Sequence, residues 1–298
     1  MSEPEIIMPA EQGEGMPVVR KIGITDIKQA LMSGFDDFWA MPTHVVFLGL
    51  IYPVIGLLTA FTVFGLDLVS LLYPLSAGLA LVGPFAAIGL YELSRRREMG
   101  LDTSWRHAFD VVHSPSFPAI IMLGLVLCLL FILWIWAAHA IYAANFGNRR
   151  FRSLLEFAST VSSSREGLNL IIVGNLVGAV FAVVAFAMSV VSFPLLLDRH
   201  ARLAIAVATS LKAVVVNPIP MACWAAIIAA GLVIGSLPFL VGLAIVMPVL
   251  GHASWHLYRT VIEPPSGTRP TYHPKEEGQH YAAEFPASLF TRSRDRRR

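Results

Sequence analysis

Long apolar runs alternate with short charged stretches along the whole chain. A helix needs about 20 residues to cross a bilayer, and six runs read as such helices, near 43–64, 69–91, 117–143, 168–197, 219–234 and 238–257. Taken in order they pair as three helical hairpins. A shorter segment of different pattern precedes each hairpin. In "TDIKQALMSGFDDFW", Ile27, Leu31, Phe35, Phe38 and Trp39 recur at helical spacing opposite Lys28, Gln29 and Asp36, with Thr25 as the expected N-cap. "DTSWRHAFDVV" repeats the device with Trp105, Ala108, Phe109 and Val112, and "ARLAIAVATSLKAVVVN" is a more apolar third version. Prolines follow all three: Pro42 the first, Pro115 and Pro118 the second, Pro218 the third. One greasy stripe on an otherwise polar helix predicts a segment lying in the membrane interface or packed beneath the bundle.

The pattern repeats at the level of residues. "GLALVGPFAAIGLYELSR" (78–95) and "GLAIVMPVLGHASWHLYR" (242–259) share Gly, Leu, Ala, Val, Pro, Leu and Arg without a gap, at an offset of 164 residues. Upstream, Ala30, Ser33 and Pro42 match Ala206, Thr209 and Pro218 at an offset of 176. The 12-residue difference shortens the third hairpin by about six residues per helix, or roughly 9 Å. The middle hairpin shares the plan but not the residues, and it is the longest.

Composition turns this pattern into a class. Apolar residues make up 56% of the chain, charged residues 14%, and mean hydropathy is +0.66; a soluble domain carries about a quarter charged residues. The chain is expected to be an all-α, multi-pass membrane protein. All but four of its 22 basic residues fall in segments on the side of the termini, the exceptions being Arg149, Arg150, Arg152 and Arg165. This bias predicts both termini in the cytoplasm. Residues 1–22, acidic and without an apolar stretch, form an expected disordered tail rather than a signal peptide. Residues 23–262 form the membrane domain, and 263–298, ending "TRSRDRRR", a disordered basic tail. Cys128 and Cys223 sit inside apolar runs and are expected to pack rather than bridge. The net charge of +2 gives no reason to expect nucleic acid.

Candidate chemistry is sparse. His252 and His256, four apart, lie on one helix face and together form a weak candidate for haem or a metal. Such a site needs further ligands. His139 falls at the opposite end of its helix, His44 starts the first, and there is no CxxCH, HExxH or Cys/His cluster. No cofactor is therefore expected, with haem as the alternative. Ser254 and His252 point about 200° apart on a helix and make no dyad. The repeat offers another role, since His256 stands where the first copy has Glu92, and Arg259 where it has Arg95. With Asp198 and Arg199 these residues predict a cytoplasmic polar layer, Glu92, Arg95, Asp198, Arg199, His256 and Arg259, in which Glu92 and His256 face each other. Gly174, Asn175 and Gly178 form a GxxxG packing face within the bundle or between protomers. No charged residue falls near a bilayer midplane, which argues against an ion-coupled pump.

"PLSAGLALVGPFAAIGLYELSRRREMG", "SVVSFPLLLDR", "NPIPMACW" and "PVLGHASWHLYR" resemble a family of uncharacterised bacterial integral membrane proteins. The family is a domain of unknown function, some of whose members are labelled cytochrome c oxidase subunit I-like. The resemblance covers residues 25–262 and implies the bacterial inner membrane, with no activity or ligand to carry over. The oxidase label would require twelve membrane helices and six histidine ligands, which this chain lacks. The expected function is a non-enzymatic accessory, assembly or scaffold subunit of a membrane complex, a respiratory or photosynthetic one being the option that the family label leaves open. Its partners would be the bilayer, other membrane subunits or a second copy of the chain. A channel or carrier for a small or lipidic substrate is the first rival and haem or metal binding the second.

Overall fold

Apolar segments of this length satisfy their backbone groups internally, and helix is the form a single segment can use for that. A computed structural model describes residues 16–41, 74–75, 83–85, 87–147, 149, 151, 153–237 and 242–264, which fall in one unit, Glu14–Pro264. Every regular element among them is a helix: α1 (Ile24–Ala40), α2 (Ile88–Glu98), a 3-10 helix (Trp105–His113), α3 (Phe117–Phe146), α4 (Leu154–Ser163), α5 (Arg165–Ser189), α6 (Ser192–Arg199), α7 (Leu203–Val216), α8 (Pro218–Ser236) and α9 (Leu243–Val261). Three stretches are long and apolar enough to cross a membrane: α3, α5 with α6, and α8. The expected span 43–64, most of 69–91, Pro42, residues 238–241 and the tails 1–15 and 265–298 lie outside the described residues.

The fourth expected span is broken rather than continuous. α5 ends at Ser189 and α6 begins at Ser192, with Val190 and Val191 between them. Pro194 has no N–H to give the Val190 carbonyl, which costs the helix one rung. The Val191 N–H is taken instead by Ser210 Oγ of α7 at 3.1 Å. The offcut α6 is the most deeply buried element, with Phe193, Leu195, Leu196 and Leu197 inside the core.

Contacts follow a regular scheme. α2, α6 and α9 pack on one another. Each of them also receives a short helix: the 3-10 helix on α2, α7 on α6, and α1 on α9. The first two come directly after their hosts in the chain. α1 lies at the far end of the sequence, and backbone pairing makes up the missing link. Val19 forms an antiparallel bridge with Ile262, the Arg20 N–H donates to the Val261 carbonyl at 2.8 Å, and the Glu263 N–H to Val18 at 3.0 Å. Asn217, before α8, accepts from Ile22 N and donates to the Arg20 carbonyl, both at 2.9 Å. Residues 18–22, assigned from sequence to a tail, are thus held on both sides.

α1 differs from its expected form in two ways. Its N-cap is Gly23, whose N–H donates to the Asp26 carboxylate at 2.7 Å, rather than Thr25. Its inward face is Ile27, Ala30, Gly34, Asp37 and Phe38, while Phe35 and Trp39 turn outward. Small residues draw α1 onto α9, since a Cβ at Gly34 would stand 2.6 Å from both the Cβ and the backbone N of Ala253. Further along the chain α3 and α5 pair through Trp134, whose ring is tilted against that of Phe181 at 5.8 Å between centroids and covers Gly178. At 30 residues α3 measures about 45 Å, and α8, at 19 residues, about 28 Å. Both cysteines are free thiols, Cys128 on an exposed face.

Replacing Gly34 with Ala should cost about 1–3 kcal/mol through overpacking against the α9 backbone. Gly174→Ala, where a Cβ meets nothing within 4 Å, should be neutral or stabilising by up to about 1 kcal/mol. Thermal unfolding of both variants in the same detergent checks the contrast; equal midpoints would refute the close α1–α9 packing.

Candidate functional site

A carboxylate on the inward face of a helix needs partners supplied by the neighbours. Asp37 is 3% exposed. Ala30 and Gly34 on the same face bring the two backbones together, so that Asp37 meets α9 one turn beyond Ala253. There His256 Nε2 lies 2.9 Å from Asp37 Oδ2. α2 contributes two donors three residues apart, the Ser94 hydroxyl to Oδ2 and the Arg97 guanidinium to Oδ1. Ser94 has one hydrogen and gives it to Asp37, so its oxygen accepts from Nδ1 of His252, 2.8 Å away and fully buried. Three helices therefore converge on one acid. Burial pushes the Asp37 carboxyl up, but hydrogen bonds from His256, Ser94 and Arg97 and the charge of His256 outweigh it and hold the group below its ordinary value.

Asp198, at the end of α6, is the second hub. Its Oδ2 accepts from the Tyr258 hydroxyl at 2.7 Å and from Arg259 Nη1 at 3.3 Å, with Arg199 Nε at 3.8 Å. Arg259 continues to Glu98 at 3.0 Å, and Trp255 Nε1 donates to the same carboxylate at 3.3 Å. Arg95 grips Glu92 with two hydrogen bonds of 2.7 and 2.8 Å. Arg96 pairs with Asp110, and Arg199 also donates to the Glu263 carbonyl. His200 closes α6 in the left-handed conformation, φ 53°, with Nδ1 3.1 Å from Ser116 Oγ. Burial, with the Arg95 guanidinium nearby, lowers its pKa.

The expected polar layer is thus distributed over two hubs. Glu92, Arg95, Asp198, Arg199 and Arg259 lie at the joined ends of α2, α6 and α9. Glu92 and His256 do not face each other: Glu92 is taken by Arg95 within its own helix, and His256 by Asp37. Sequence reasoning missed Asp37, Ser94, Arg97, Glu98 and Tyr258. One signal was present, because Asp37 falls one turn beyond Gly34 on the small-residue side of α1. Among the described residues no three His, Cys, Asp or Glu side chains are grouped to hold a metal ion. In the GxxxG segment Gly178 lies against Trp134 and Gly174 faces open space. Asn175, exposed, donates to the Ile171 carbonyl at 2.7 Å.

Residues 72–198 match the family model described as a predicted integral membrane protein (DUF2189), the uncharacterised membrane family that the motifs resemble. The matched region carries Glu92, Ser94, Arg95, Arg97 and Asp198; Asp37, His252 and His256 lie outside it. No curated protein and no solved structure matches the chain.

Asp37→Asn strips Arg97 and His256 of their anion and should destabilise the fold by about 3–5 kcal/mol, the usual cost of breaking a buried ion pair from one side. The sign of the pH dependence follows from the lowered pKa. The stability Asp37 contributes is present above the unfolded value of 3.8 and is lost as pH falls through the lower folded value. An acid titration of thermal stability should therefore fall less steeply below pH 4 in Asp37→Asn than in the natural chain.

Proposed function

We propose, for a chain whose residues 72–198 fall in this membrane family, that it is a non-enzymatic multi-pass protein of the bacterial inner membrane. It serves there as an accessory, assembly or scaffold subunit of a membrane complex. The observation that carries this reading is how the charges are used. Asp37, Glu92, Glu98, Asp198, Arg95, Arg97, Arg199 and Arg259 are spent on one another, mostly between helices, and so lock the bundle.

The same reading takes the membrane domain as three hairpins, each preceded by an interfacial helix, with both termini cytoplasmic. Burial along the repeat supports it. At the offset of 176, Ala30 and Ala206, Gly34 and Ser210, and Asp37 and Ala213 are buried in both copies. Phe35 and Leu211, and Trp39 and Val215, are exposed in both. At the offset of 164, Tyr91 with Trp255 and Leu93 with Leu257 are buried in both. Each short helix rests on the closing helix of a hairpin, and the Val19–Ile262 bridge completes a ring of three.

One observation favours a channel or carrier instead. The third hairpin is low, α8 having 19 residues against 30 in α3, which leaves room for a lateral opening beside the taller pair. Haem or metal binding is the other alternative, and it would require His252 and His256 to leave Ser94 and Asp37.

Isolation of the full chain from native membranes in mild detergent tests the proposal. Stoichiometric membrane subunits retained across several detergents are expected. A lone monomer in all of them, or a Soret absorbance that disappears in His256→Gln, would overturn it.

A further inference from the structure

Most arginines of the polar layer are neutralised inside the protein, which makes the unpaired cations at the same end informative. Lys28, Arg106 and Lys212 are exposed, and no carboxylate among the described residues pairs with them. One sits on each of the three short helices. Each is set among exposed apolar side chains. Lys28 is in line with Ile24, Met32, Phe35 and Trp39, a single stripe at i−4, i+4, i+7 and i+11. Arg106 lies 5.9 Å from the Trp105 ring, which itself meets Phe109 edge-on at 6.3 Å. Lys212 lies between Leu211 and Val215. Trp39 is 79% exposed and Trp105 50%. The acid nearest in pattern, Asp36, falls about 80° round α1 from Lys28.

An apolar stripe carrying a cation matches the boundary of a bilayer, where the rings reach the acyl level and the ammonium or guanidinium the phosphates. We propose that α1, the 3-10 helix and α7 form a three-part rim that binds anionic phospholipid head groups of the leaflet on the side of the termini, one at each of Lys28, Arg106 and Lys212. The rim selects lipid by charge, because no carboxylate among the described residues neutralises Lys28, Arg106 or Lys212. Zwitterionic head groups would gain far less there.

The inference rests on the interfacial placement of the three helices and can be separated from it. The full chain is reconstituted into vesicles of phosphatidylcholine with phosphatidylglycerol, and retained lipid is counted after extraction into mild detergent. The natural chain is expected to enrich phosphatidylglycerol on the order of fivefold per cation, the worth of one charge near an anionic surface, and to lose the enrichment in high salt. K28Q/R106Q/K212Q should lose it with an unchanged melting midpoint, K28R/R106K/K212R should keep it, and R149Q/R165Q at the other end should have no effect. Full enrichment in the glutamine variant, its loss in the charge-preserving variant, or its dependence on Arg149 and Arg165 would each overturn the proposal. Quenching by head-group-level bromolipid, measured as the difference between the natural chain and W39F/W105F, reports the placement alone. No difference there would reject the interfacial position itself.

Discussion

A carboxylate removed from water costs several kcal/mol unless donors surround it, and Asp37 is such a group. Its donors come from α2 and α9, so α1 cannot shift along or away from them without stranding a charge. The small residues fall into place around this constraint. Gly34 lies against the backbone of Ala253, and a Cβ at Gly251 would overlap Leu90 at 2.3 Å. Close backbone approach and a short-reach carboxylate need each other: a bulkier face would hold Asp37 out of range of His256. Hydrophobic packing brings the helices together without direction, and the acid fixes one arrangement.

The second hub extends the same logic to the element the chain had to break. α6 is detached from α5 by Pro194 and buried on its apolar side, which leaves Asp198 at its end facing α9. Tyr258 and Arg259 meet it there, and Arg259 passes on to Glu98 of α2. The ends of α2, α6 and α9 are thus connected by polar contacts above a core of Leu and aromatic side chains. A bundle so closed pairs the charges of its hubs with one another and leaves Lys28, Arg106 and Lys212, with Trp39 and Trp105, facing outward. On α1 the lock and the proposed rim share one helix, with Asp37 buried on one side and Lys28 and Trp39 exposed on the other.

Much of the fold was legible because membrane-length apolar runs and amphipathic stripes are strong signals. α3 and α8 begin and end within a few residues of the expected limits. The break in the fourth run was legible only in part. Pro194 is visible in "SFPLL", but a proline can kink a helix without ending it, and the acceptor that takes the Val191 N–H at the break, Ser210 Oγ, is 19 residues away. The face of α1 was read from its largest apolar residues, which favoured Phe35 and Trp39. Inside a bundle small residues win the inward position, because they permit the closest approach, and the large ones remain for the exterior. The same bias hid Asp37 and directed His256 toward Glu92. The repeat relates those two positions to each other, but it does not say which helix lies between them.

The central claim, that Asp37 ties α1 to the rest of the bundle, is tested most directly by a double-mutant cycle between Asp37→Asn and Arg97→Gln on the full chain. Unfolding free energies are compared for both single variants and the double one. Residues that share one buried interaction should be non-additive by about 1 kcal/mol or more, the double variant losing less than the two singles together. Losses that add to within about 0.3–0.5 kcal/mol would contradict the account.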